Sequence, residues 1–267
     1  MLDTIETLEK TDMLNKELCI EAIQRWKLNK SEYEKVETLF SPTAVFNFSE
    51  DDCAWLNKHN NNAQFHTYIG IHGKNLILIV VPLDKDGVEV ELKSYLTSTL
   101  SELKKNITLI EQDKITTTTR TTLNQELEIS KISVDSDLPT YNEPVMTERA
   151  SVHDIENWKN NCLDWFYKEC NEFKGLRIFN TFTVPFADLI LDSSDYNEVT
   201  ALFGFKDSVI YQGPIPVLIF VAVHNTSGTA EILRAPSYED ESGTNTKDYS
   251  QPCPPMCRAS KDYGLLS

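Results

Sequence analysis

Residues 76–87 read LILIVVPLDKDG, an unbroken apolar run closed by a charged turn, and residues 217–228 read VLIFVAVHNTSG, a second such run closed by a polar turn ending in Gly. Short apolar runs rich in β-branched residues and bounded by turn chemistry predict buried strands that enter hairpins. The likeness extends upstream of both. IEAIQRWK (20–27) matches VHDIENWK (152–159), setting Ile23 against Ile155, Trp26 against Trp158 and Lys27 against Lys159. AVFNFSEDD around Phe48 then matches TVPFADLI around Phe186, and YIGI with Gly70 matches LFGF with Gly204. The shared order with slowly drifting spacing is what duplication followed by loop insertion leaves behind.

Each copy begins with a helical pattern. Val152, Ile155, Trp158, Cys162, Trp165, Phe166 and Phe173 form an apolar stripe. Ser151 with Asp154 three residues on predicts its N-cap, and Gly175 after Lys174 predicts its end. In the first copy Leu18, Ile20, Ile23, Trp26, Tyr33 and Val36 are less regular, and Asn29–Ser31 predicts a break into two shorter helices. Strand-like segments follow at 43–48 and 176–186, then the YIGI and LFGF strands, then the two hairpins. VEVEL (88–92) and TAEIL (229–233) are expected to be their return strands.

Helices grouped ahead of consecutive strands favour antiparallel sheets. The expected fold is therefore α+β: two tandem related domains packed side by side, each an N-terminal amphipathic helix on a mainly antiparallel sheet. Residues 1–147 form the first, ending in an inserted hairpin built from ITTTTRTTL (115–123) and LEISKISV (127–134) and a linker over 135–150. Residues 148–267 form the second, with a Pro- and Cys-containing tail, QPCPPMCR.

The bulk numbers restrict function by charge. The chain has 25 Lys and Arg against 41 Asp and Glu, a formal charge of −16, with acids in excess in both halves and no basic patch. Such a surface repels phosphate, which argues against direct binding to nucleic acid or an anionic membrane. The N-terminus lacks the basic start and apolar core of a secretory leader, and no apolar run approaches the ~20 residues of a spanning helix, so a cytoplasmic location is expected. With only 9 Gly in 267 residues and no phosphate-loop or dinucleotide pattern, no cofactor is implied.

Cys253 and Cys257 supply two thiols at close spacing, half of a structural zinc site, with no second pair to complete it. Reduced structural cysteines are favoured over a disulfide or a metal, because the absence of a leader points to a reducing compartment. His66 and His72 bracket the YIGI strand with even spacing, which places them on one face, and Asp52 lies in an acidic stretch upstream. They are the candidate catalytic groups of an enzyme, possibly a hydrolase, with its site in the cleft between the copies. The second copy carries Thr200 and Lys206 where the first has the histidines.

Duplication of apolar and turn positions without duplication of polar chemistry favours selection on shape. The leading expectation is a soluble, non-enzymatic interaction or assembly protein with a protein partner, open to homo-oligomerisation. An acidic inhibitor that mimics nucleic acid is the further alternative.

Overall fold

The computed structural model describes residues 12–104 and 148–189 throughout and, with short interruptions, residues 106–137, 191–224 and 243–266. In chain order it forms strand β1 (Met13–Asn15), helices α1 (Lys16–Asn29) and α2 (Tyr33–Leu39), strand β2 (Ala44–Ser49) and helix α3 (Glu50–His59). Strands β3 (Gln64–His72), β4 (Asn75–Val81), β5 (Ser94–Thr99), β6 (Ser101–Glu102), β7 (Glu111–Gln112), β8 (Thr116–Leu123) and β9 (Ile129–Asp137) follow. The long helix α4 (Glu148–Phe173) precedes β10 (Thr181–Pro185), a 3₁₀ turn (Phe186–Leu189), β11 (Glu198–Ser208) and β12 (Gly213–Val223). Short strands β13 (Gly243–Thr244), β14 (Thr246–Lys247) and β15 (Gln251–Cys253) lead to a last 3₁₀ turn (Gly264–Leu266). The fold is α+β with antiparallel sheets. Among the described residues no helix is long and apolar enough to cross a membrane.

Local chemistry explains most boundaries. The Asn15 side chain caps α1 by accepting from Leu18 N. The break expected at Asn29–Ser31 separates α1 from α2. The start expected at Ser151 is three residues late: α4 begins at Glu148, and Ser151 is a buried residue within it. The helix α3 was not foreseen, although its signal is in the sequence: Ser49 and Asp52 form a reciprocal capping box. The expected VEVEL strand is reduced to a bridge between Leu83 and Glu89, and β4 pairs with β5 instead. Asp84 Oδ1 accepts from Asp86 N and Val88 N, 2.9 Å each, which closes the turn and lets Glu89 point inward. TAEIL and residues 138–147 of the linker lie outside the described residues.

Two large sheets run β1-β5-β4-β3-β10-β15 and β14-β12-β11-β2-β6. Both contain strands from either side of residue 148. β10 pairs with β3 from Thr181↔Tyr68 to Pro185↔Gln64, and β2 pairs with β11 from Ser49↔Glu198 to Val45↔Leu202. The inward faces share one core: Phe65, Ile69, Leu78 and Phe182 from the first sheet, with Phe46, Phe48, Phe203, Phe205 and Phe220 from the second. On the outer face of the first sheet α1 places Cys19, Ala22 and Ile23 against Tyr68, Ile77 and Ile79. The helix α4 packs along β11.

The ends of α1 and α4 meet at a tight junction. Trp26 Nε1 donates to Phe179 O at 2.8 Å, and the buried Lys30 Nζ donates to Ile178 O at 2.6 Å. Burial, reinforced by Lys27, pushes the Lys30 ammonium down to about 8. Gly175 has φ 70°, and a Cβ there would stand 2.8 Å from Ser31 Cα and 2.9 Å from Lys30 O. Both obstacles are backbone, so they cannot swing aside. Gly175→Ala is expected to cost about 2 kcal/mol or more from the left-handed conformation and the displaced junction together, measured as a lower urea midpoint.

The central strands also carry glycines under helices. A Cβ on Gly70 would meet Ala22 and Ile79; one on Gly204 would meet Ile219 and lie 3.4 Å from the Asp154 Cβ. Ala22 suits that close approach, whereas Asp154 brings a carboxylate into it. Burial holds Asp154 above the usual carboxylate range, opposed by the His153 hydrogen bond and by Lys206. The unfolded chain therefore releases this proton first as pH rises from about 4. Stability contributed by the neutral form is present below that pH and lost as pH climbs through the raised value. Asp154→Ala is expected to stabilise the fold by about 1 kcal/mol at pH 7. At pH 4 the gain should shrink; paired urea melts at the two pH values measure it.

Candidate functional site

A polar cavity of about 420 Å³ opens where the two sheets meet. Its walls come from β2 (Asn47, Ser49), β5 (Thr97, Thr99), the start of β11 (Glu198) and α3 (Asp52). Asp12 and Lys104 also line it, and none of its lining residues is aromatic. Its frame is held by a side chain bonding to a backbone. Ser98 Oγ donates to Asn47 O at 2.8 Å and accepts from Asn47 N at 3.0 Å, tying β5 of one sheet to β2 of the other. Thr200 Oγ1 donates to Asn47 Oδ1, and Thr97 Oγ1 to Asp12 O.

Asp52 is fixed by the cap that starts α3. Its Oδ2 accepts from Ser49 N at 2.8 Å and from Ser49 Oγ at 2.9 Å. Its Oδ1 is buried without a hydrogen-bond partner. The cavity thus pairs three carboxylates, of Asp12, Asp52 and Glu198, with one lysine. That arrangement repels anions and leaves acceptor capacity for a donor-bearing guest.

The histidines stand elsewhere. His66 is buried, with Nδ1 2.7 Å from Glu89 Oε1, and the Tyr68 hydroxyl donates to the same oxygen. Leu265 N donates to Glu89 Oε2 at 3.1 Å, and the Tyr263 ring lies 4.7 Å from the His66 imidazole. Burial, followed by the Glu89 charge, holds the Tyr68 hydroxyl well above its ordinary range. The C-terminal turn therefore closes over a hydrogen-bonded His–Glu–Tyr group. His72 is exposed at the far end of β3. His66, His72 and Asp52 consequently sit in three separate surroundings: a closed interior, a strand end and the cavity wall. Nothing in VEVEL distinguished Glu89 from Glu91, and Tyr263 carried no motif, so the interior group was not legible.

Cys253 and Cys257 are joined in a disulfide, in place of the reduced thiols that the sequence favoured. Their half-site for zinc is not extended: among the described residues no group of three or more His, Cys, Asp or Glu side chains is placed to hold a metal ion. β15, which carries Cys253, pairs with β10 and so forms the edge of the first sheet. Cys19, Cys53, Cys162 and Cys170 are buried free thiols.

A second exposed feature is the hairpin of β8 and β9, which forms a two-stranded sheet of its own. Thr119↔Val134 and Thr121↔Ile132 are directly opposite pairs. Ile132 and Val134 are 59% and 60% exposed. The class these features define is a two-sheet α+β protein with an acidic cavity and a separate exposed hairpin. No protein-family model, curated protein or solved structure matches the chain.

Proposed function

We propose that the protein is a non-enzymatic interaction or assembly protein built from a duplicated helix-and-sheet unit, with residues 1–147 and 148–267 as the two copies. Two observations support duplication. The first long strand of each half, β2 and β10, joins the central strand of the other half, β11 and β3, in reciprocal fashion. The positions equated by the repeat also have like surroundings: Gly70 lies beside Ala22 and Ile79, and Gly204 beside Asp154 and Ile219.

The β8–β9 hairpin carries the interaction reading. An isolated two-stranded hairpin is marginal in water, and unpaired strand edges with apolar side chains are templates for an added strand. The partner is accordingly a protein that offers an extended segment to this hairpin. Affinity capture from the native host should recover a partner with the wild-type chain and lose it with Ile132→Asp/Val134→Asp, at unchanged melting temperature. Equal recovery by both chains would overturn the reading. The cytoplasm is the proposed location, and the tail is its measure: alkylation of intact cells should label Cys253 and Cys257 as thiols there.

The acidic cavity favours a second reading, a small-ligand site, independent of the hairpin.

A further inference from the structure

We infer that the cavity between the two sheets is a binding site for a primary ammonium group on a flexible aliphatic chain. The argument starts from what its walls leave unmet. The hydroxyls of Ser49, Ser98 and Thr97 already donate within the protein. Asp52 is only 9% exposed, and its Oδ1 has no partner. A buried carboxylate oxygen left in that condition is costly, and an N–H donor seated in the cavity satisfies it.

The remaining chemistry narrows the guest. Three carboxylates against one lysine select a cation. A dehydrated divalent metal needs a denser set of oxygen ligands than the described side chains provide, since no group of three ligating residues is present among them. A quaternary ammonium is held best by aromatic faces, and the lining has none. A primary ammonium differs because it carries three N–H donors, which fit Asp52 Oδ1 and the neighbouring threonine oxygens. The volume of about 420 Å³ lies within the range of small-ligand sites. Such a group comes from a free polyamine or from a lysine side chain of a polypeptide, and the wall chemistry is common to both.

Calorimetric titration of the full chain with putrescine, spermidine, Nα-acetyl-lysine amide and choline separates these sources. Saturable one-site binding of the polyamines identifies the free amine, and tighter binding of the lysine amide identifies the side chain; either upholds the ammonium site. Choline should bind at least about tenfold more weakly, and Asp52→Asn should weaken the preferred probe about tenfold or more, as expected for loss of a charged hydrogen bond. The control Asp86→Asn, on an exposed turn, should leave affinity unchanged. Asn at position 52 retains an oxygen for the Ser49 cap. Should that variant nevertheless fold poorly, amide shifts of the wild-type chain serve instead, and they should cluster at Asn47, Ser49, Asp52 and Thr97. Absence of saturable binding, equal affinity for choline, an unaltered Asp52→Asn or an equal loss in Asp86→Asn would overturn the inference.

Discussion

Trp158→Ala is expected to remove about 3–5 kcal/mol of stability, a large part of the ~5–15 kcal/mol that a folded domain possesses. Trp158 projects from α4 into the middle of the shared core. Its ring stacks on Phe203 at 4.7 Å, with an interplanar angle of 18°, and lies 4.8 Å from Phe205, 5.8 Å from Phe166 and 6.1 Å from Phe40. These rings belong to a second helix position, to β11 and to the segment after α2. No single element can move in to fill the space, so most of the cavity term is expected to persist. Urea unfolding should show a lower midpoint with an unchanged slope. Leu28→Ala, at a position 74% exposed, is the control and should fall within about 0.5 kcal/mol of the parent. A loss below about 1 kcal/mol for Trp158→Ala would mean that the aromatic cluster repacks freely.

The second large effect concerns the two halves. Expressed alone, residues 1–147 and 148–267 are each expected to lack cooperative unfolding and to aggregate; co-expressed, they should form a soluble complex with the circular dichroism of the intact chain. The reason is the reciprocal pairing. Without the second half, β3 loses its β10 neighbour and β2 has no β11 beside it. Both halves would also expose the phenylalanines of the common interior, among them Phe46, Phe65, Phe182 and Phe203. Open strand edges next to bare aromatic surface are a strong drive to association. Two separately stable, monomeric halves would refute this account.

Legibility in the sequence followed the range of the interactions. The α+β class, the strands around Gly70 and Gly204, the break after α1 and the end of α4 at Gly175 were readable, because apolar periodicity and turn residues act over a few positions. The helix α3 was missed only because its box, Ser49 with Asp52, was read as the tail of a strand. VEVEL was misread for a deeper reason: Glu89 leaves the alternation to meet His66, Tyr68 and Leu265 N, and those partners are far from it in sequence. The cavity was equally hidden. Asp52 was picked out among many acids, but its company of Asn47, Thr97 and Glu198 depends on β2 crossing to the other sheet. Pairings between strands more than a hundred positions apart leave no mark in local pattern.

That long reach also orders events during synthesis. The chain leaves the ribosome with β3 complete, yet the segment that covers its edge, Thr181–Pro185, is made about 110 residues later. At ~5–20 residues per second, a nascent chain waits roughly 5–20 seconds with that edge uncovered. On a crowded polysome the Thr181–Pro185 segment of an adjacent polypeptide can dock there first, so translation speed and chaperone occupancy over this interval govern whether monomers or entwined dimers emerge.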